Sequence, residues 1–153
     1  MGRPSTADAG RLSYAIFTLA RAHRGFAAAL LRDLDLHPGQ ELLLMQLLER
    51  DGQTQSELLD SVDLDHSTVS KSLRRMQEAG LLTRAPSDRD RRVLHVWLTD
   101  RGRAMREPLT DLWATLERAC TRGLTAADID AFTRLAGAVE HAIAHRASTE
   151  ETS

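Results

Sequence analysis

Thr54 to Thr99 reads TQSELLDSVDLDHSTVSKSLRRMQEAGLLTRAPSDRDRRVLHVWLT, a pattern of two short helices, a tight turn between them and a β-hairpin with a charged tip. Thr54-Gln55-Ser56-Glu57 is a capping box, in which the Thr54 side chain accepts from the Glu57 backbone and the Glu57 carboxylate reaches back. Leu58, Leu59 and Val62 form the buried side of the helix it opens. Asp63-Leu64-Asp65 makes the turn, with Leu64 as the plug between the helices. Asp65 then caps a helix from His66 to Ala79, and Gly80 supplies the left-handed stop.

On that second helix Val69, Leu73 and Met76 fall at i, i+4 and i+7, within one narrow sector, so they face the core. Burying them turns Ser67, Lys71 and Arg74 outward together, with Ser70 and Gln77 on one flank and Thr68 and Arg75 on the other. An ordinary surface helix mixes both charge signs, whereas here the first acid on the outer face is Glu78, at the far end. Two helices joined by a short turn, the second presenting small polar and long cationic groups, make the helix-turn-helix pattern that reads a DNA groove.

Leu81–Ala85 and Val93–Leu98 are strand-like, and Leu94, Val96 and Leu98 alternate with Val93, His95 and Trp97. The tip between them, Pro86-Ser87-Asp88-Arg89-Asp90-Arg91-Arg92, has nothing to bury. A solvated loop accounts for that composition, but three arginines beside a recognition helix are better explained as a wing lying along phosphates or entering the minor groove. From Ser67 to Arg106 ten Lys or Arg stand against four Asp or Glu, a net of +6, and the remaining chain carries −8. The overall charge of −2 therefore conceals a strongly polarised molecule.

These residues resemble a known family. Leu42–Leu48 followed by Thr54-Gln55-Ser56-Glu57-Leu58, then Ser67-Thr68-Val69-Ser70, Glu78-Ala79-Gly80-Leu81, Asp88-Arg89-Asp90-Arg91-Arg92 and Leu98-Thr99-Asp100-Arg101-Gly102 are similar to the MarR family of bacterial winged-helix regulators, over roughly residues 10 to 145. The resemblance implies a homodimeric transcription factor whose terminal helices interlock and whose two winged units grip a palindrome. It assigns the recognition-helix role to Ser67, Thr68, Ser70, Lys71, Arg74 and Arg75, and the wing role to Asp88, Arg89, Arg91 and Arg92. It further implies a crevice between the dimer helices and the winged unit that takes aromatic acids or other small amphiphiles. His23, His37, Gln40 and Trp113 are the candidate lining residues, each combining hydrogen-bonding capacity with a place near apolar surface, although satisfied core or interfacial polar groups would look the same.

At 153 residues and 42% apolar content the chain fits a single domain with a real core, and with 4% aromatics that core is built from Leu, Ala, Val and Ile. No run approaches the ~18 apolar residues of a membrane span, and no signal peptide is evident. The lone Cys120 excludes an internal disulfide and agrees with a reducing cytoplasm. One lysine against nineteen arginines extends over the acidic regions too, which points to genomic GC content more than to DNA contact.

Residues 1–8 read as a mobile arm. A first helix is expected from Ala9 to Leu34, with Leu12, Ile16, Leu19, His23, Phe26 or Ala27, and Leu30 in one stripe that outruns a small winged unit and calls for a partner subunit. Pro38 is placed at the first position of a second helix ending at Glu49, apolar nearly all round and therefore sandwiched. After the wing, Thr99 caps a helix from Asp100 to Arg122 that Pro108 should kink or break, with Met105, Leu109, Leu112, Trp113, Leu116 and Cys120 buried. Thr125 and Asp128 open the last helix, where Ile129, Phe132, Ala136, Val139 and Ile143 form the packed stripe, and the chain frays from Ala147.

Enzyme constellations are absent: no phosphate-binding glycine loop, no nucleophile elbow and no His-Glu-x-x-His. His141 and His145 are one turn apart, but they lie opposite the Ile143 stripe with only Glu140 adjacent and read as solvated side chains favoured by the helix C-terminus, not as metal ligands. Cys120, on an apolar stripe near a helix end, reads as core. No cofactor is expected. The organisation expected is one domain over 1–153, with dimerisation helices at 9–36 and 107–147 around a winged helix-turn-helix at 38–106. The expected function is a cytoplasmic, nucleoid-associated, mainly α homodimeric regulator on an inverted-repeat operator in double-stranded DNA, a repressor relieved by a small effector. A thiol- or metal-responsive DNA-binding sensor, and a helical interaction dimer without DNA binding, are the alternatives.

Overall fold

A computed structural model describes residues 2, 4–62 and 64–150, the side chains of 147–150 excepted. Asp63 of the expected turn, the fraying residues 151–153, and residues 1 and 3 of the expected arm lie outside the described residues. A short 3₁₀ segment, Ser5–Gly10, leads into α1 (Arg11–Asp33), followed by α2 (Gln40–Glu49), β1 (Gln53–Thr54), α3 (Gln55–Ser61) and α4 (His66–Glu78). Then come β2 (Leu82–Pro86), β3 (Leu94–Leu98), α5 (Asp100–Arg103), α6 (Arg106–Cys120) and α7 (Ala126–Glu150). The chain divides into two compact units, Met1–Leu116 and Glu117–Ser153.

The core of the first unit is almost all leucine. Leu43, Leu44 and Leu47 of α2, Leu58 and Val62 from α3 and its C-cap, and Val69, Leu73 and Met76 of α4 are buried together with Leu31, Leu36, Leu81, Leu82, Val96, Leu98, Leu109, Leu112 and Leu116. Leu42, Met45 and Leu48 are half-buried against it, so α2 is covered on most sides as its composition requires.

Several local expectations are met. Thr54 and Glu57 close the capping box in both directions, at 3.1 and 2.7 Å. Gly80 takes the left-handed conformation, φ 76°, after α4. In the second unit the Thr125 hydroxyl accepts from the Asp128 N–H and the Asp128 carboxylate accepts from the Thr125 N–H, which opens α7 as the sequence suggests.

Other expectations are corrected. The first helix begins at Arg11, because Ser5–Gly10 winds more tightly as 3₁₀. Pro38 is not the first residue of α2: Gly39, at φ 97°, is its N-cap, and the Glu41 carboxylate accepts the Gly39 N–H at 2.7 Å. Burial raises the Glu41 carboxyl above its ordinary range, with its own backbone N–H and that of Gly39 pulling the other way. The hairpin gains a third strand. β1 pairs antiparallel with β3, Gln53 opposite Val96, giving the order β1-β3-β2. Buried Gln53 donates to the carbonyls of Gln46 and Arg50 at 2.8 and 2.7 Å, which satisfies the end of α2.

The helix after the wing is broken, as Pro108 requires, but upstream of it, between Arg103 and Arg106. A proline ring clashes with the carbonyl four residues earlier, here Ala104, and supplies no N–H to it. Trp113 and Cys120 are exposed, not buried: the covered sector of α6 is Leu109, Leu112 and Leu116, and Cys120 lies a turn past the last core side chain. Exposed apolar side chains are concentrated on α1 (Leu12, Ile16, Phe17, Leu19, Phe26) and, in the second unit, on α7 (Phe132, Leu135, Ile143).

Asp51 ties the α2–β1 turn to the sheet. One carboxylate oxygen accepts the N–H groups of Gly52 and Leu98, and the other meets Arg103 at 3.4 Å. Gly102 of α5 is pressed on the end of the α4–β2 connection, where an added Cβ would stand 2.0 Å from the Leu81 carbonyl oxygen. Gly102→Ala is expected to destabilise the winged unit by about 1–3 kcal/mol through overpacking, read as a lower urea midpoint with an unchanged slope.

Candidate nucleic-acid interface

The rotation of α4 about its own axis is set by Val69, Leu73 and Met76, which are 1%, 0% and 0% exposed. Ser67, Lys71, Arg74 and Arg75 are consequently exposed, while Thr68 and Ser70 are half-buried on the flanks. Lys71 and Arg75 form no ion pair or side-chain hydrogen bond among the described residues, and Arg74 lies 3.8 Å from Glu78 across one helical turn. The start of the helix is fixed by Asp65, whose carboxylate accepts the Thr68 N–H at 2.8 Å and the Thr68 hydroxyl at 2.7 Å. Those bonds, the hydroxyl first, hold the Asp65 carboxyl below its usual range. Thr68 therefore enters the ridge with its one hydroxyl proton already engaged.

The wing is an ordered turn. Ser87 N–H donates to the Val93 carbonyl at 2.8 Å, Val93 N–H to Asp90 at 2.9 Å, and Arg89 N–H to the Ser87 hydroxyl at 3.3 Å. Asp88, Arg89, Arg91 and Arg92 are exposed, but the arginines differ. Arg92 forks onto Asp90 through Nε and Nη2, both at 3.1 Å, and lowers its carboxyl below the usual carboxylate range. Arg89 and Arg91 have no such side-chain partner among the described residues.

Arg84 escaped the sequence reading. Its Nε donates to Gln77 of α4 at 2.8 Å and its Nη1 reaches Gln55 of α3 at 3.5 Å, so one guanidinium links the hairpin base to both helices of the motif. The available signal was parity: Arg84 shares a strand face with Leu82, and a long cation on the inward face of a strand must find acceptors inside.

The four candidate effector residues are placed as follows. His23 is half-buried on α1 and His37 is exposed. Gln40 is buried, its Oε1 accepting the His37 N–H at 3.0 Å, so its carbonyl serves the entry to α2. Trp113 is half-exposed and donates through Nε1 to the Met45 sulfur at 3.1 Å. Two open clefts lie elsewhere, one around Gln46, Arg50 and Asp60 and one around Pro86, Arg89, His95 and Trp97, and neither is lined by these four. His141 and His145 are exposed with their rings edge-on at 4.3 Å, and no cluster of three or more metal-ligating side chains occurs among the described residues.

Residues 34–93, from the end of α1 to the far side of the wing, match the family model described as the MarR family. The HTH-type transcriptional repressor IacR of Pseudomonas putida is 28% identical over 141 residues, covering 90% of this chain and 84% of the relative. Over the winged stretch this chain is similar to the MarR family. The HTH-type transcriptional regulator YybA of Bacillus subtilis is 25% identical over 85 residues, and this chain spans 57% of its length. A mutant Escherichia coli MarR, solved in complex with operator DNA, superposes with a TM-score of 0.79 at 23% identity over 90% of this chain and 99% of that one, a likeness of fold. The MarR-family match falls on the stretch that contains the cap, the ridge and the wing, and stops short of α6 and α7.

Asp65→Ala removes the cap that starts the ridge. The variant is expected to unfold at lower urea than the parent at pH 7. Because the folded-state carboxyl is lowered, its contribution is present above the ordinary carboxylate range and lost as pH falls through the folded value. The gap between parent and variant should therefore close in acid, measured by urea unfolding from pH 7 down to pH 3.

Proposed function

We propose that this chain is a sequence-specific double-stranded DNA-binding transcriptional regulator, a repressor that acts as a homodimer on an inverted repeat. One observation carries the reading. Burial of Val69, Leu73 and Met76 leaves Ser67, Lys71, Arg74 and Arg75 exposed on a helix that Arg84 ties to a hairpin whose tip exposes Arg89 and Arg91. The relatives support it by name, as transcriptional regulators and not enzymes.

In this reading Lys71, Arg74 and Arg75, with Ser67, Thr68 and Ser70, meet base edges and phosphates in the major groove, where arginine to guanine is the commonest specific pair. Arg89 and Arg91 hold the backbone or minor groove beside it, and Arg92 joins them by exchanging Asp90 for phosphate. Residues 38–106 form the DNA-binding part, and helices within 9–36 and 107–147 form the dimer. The exposed apolar side chains of α1 and α7 supply surface for a second copy. Two-fold symmetry then requires half-sites about one helical turn, roughly 10 bp, apart. Relief of repression follows if a small amphiphile beside His23, His37, Gln40 or Trp113 favours a different spacing of the two recognition helices. No described helix is long and apolar enough to cross a membrane. A place in the cytoplasm beside the nucleoid goes with this function.

Footprinting on the region upstream of the chain's own coding sequence tests the function, and a chain that protects no duplex would overturn it. Arg91→Ala is expected to weaken binding to every duplex and to flatten the dependence of log K on log salt by up to about one unit, read by anisotropy across a salt series. Arg74→Ala should instead relax preference at particular base pairs, costing about 1–3 kcal/mol of discrimination there, read by selection from random-sequence DNA.

A further inference from the structure

We propose that His66 is a further DNA contact, one that takes up a proton as the duplex binds; this rests on the DNA-binding function proposed above. His66 is the first residue of α4, the end of a recognition helix that enters the groove, and it is exposed. Its imidazole has no hydrogen bond or ion pair among the described residues. The nearest acid in the chain, Asp65, has both carboxylate oxygens occupied by Thr68. Thr68, whose hydroxyl proton is spent in that cap, leaves His66 and Ser67 as the available side-chain donors of the first turn.

The charged groups on the elements packed most closely against α4 are Glu41 and Glu49 of α2, Glu57 and Asp60 of α3 and Arg84 of β2. Glu41 is bonded to Gly39, Glu57 to Thr54 and Arg50, Glu49 lies beside Arg106, and Arg84 is held by Gln77 and Gln55. Asp60 is exposed on the far side of the Asp63 turn in sequence. Of the six histidines, His66 alone lies on the recognition helix, and His95 is held by the Gly52 carbonyl at 3.0 Å.

Imidazole titrates near about 6.5 in isolation. A phosphate brought against it favours the charged form, so the complex holds more protons than its separated parts. Affinity is then greatest at low pH and declines as pH rises through the imidazole range, by up to about tenfold per pH unit for each chain. At pH 6 the added phosphate contact also steepens the salt dependence by up to about 0.9 units per chain.

The test uses the whole chain and a labelled duplex that it has itself selected from random-sequence DNA, with anisotropy titrations from pH 6 to 8 at constant ionic strength. The expected result is a falling affinity in the parent, a flat profile in His66→Gln, and tight, pH-independent binding in His66→Arg. A flat parent profile, or one that persists in His66→Gln, overturns the assignment of His66 while leaving DNA binding intact. If His66→Gln binds too weakly to titrate, the decision falls to His66→Arg, whose failure to restore binding at pH 8 overturns the proposal. A parent that selects no duplex at any pH overturns the DNA-binding reading and this one with it.

Discussion

The burial of Val69, Leu73 and Met76 is the constraint on which the rest of the winged unit depends. A helix of thirteen residues has one rotational freedom that matters for recognition, the angle at which it presents its outer face. Three side chains in one sector, each worth about 1.5–3 kcal/mol when fully buried, remove that freedom. The Asp65 cap fixes where the helix begins and Gly80 where it ends, so the phase and the length of the ridge are both determined locally.

What was legible in the sequence follows from that locality. Capping pairs three residues apart, apolar side chains at helical spacing and a left-handed glycine all lie within one or two turns, and each was read at its place. The contacts that escaped join residues distant in the chain. β1 is two residues long, too short to show alternation, and exists because β3 offers it a partner more than forty positions away. Asp51 acts on Leu98 and Arg84 on Gln55 across gaps of 47 and 29 residues. The misplacement of Trp113 and Cys120 has another origin: a heptad-like stripe predicts which side of a helix is apolar, and says nothing about how far along it the cover extends.

The candidate interface was legible in its residue types and less so in their state. Counting ten cations between Ser67 and Arg106 treats them as equivalent. The structure sorts them. Arg103 is bonded to the Leu98 carbonyl, Asp100 and Asp51, Arg106 to the Leu48 carbonyl, and Arg84 to two glutamines. These guanidiniums act as mortar between elements, and the unencumbered set contracts to Lys71, Arg75, Arg89, Arg91 and Arg101.

The fork between Arg92 and Asp90 gives the hairpin tip an internal counter-ion. Seen from beyond a Debye length of about 8–10 Å, that pair is a dipole with little net pull, so the long-range attraction of a polyanion falls to Arg89, Arg91 and the helix. Only on close approach does a competing oxyanion present Arg92 with an alternative of equal quality. Under the DNA-binding function proposed above, the fingertip has two ranges of action, an outer one that gathers and an inner one that fastens.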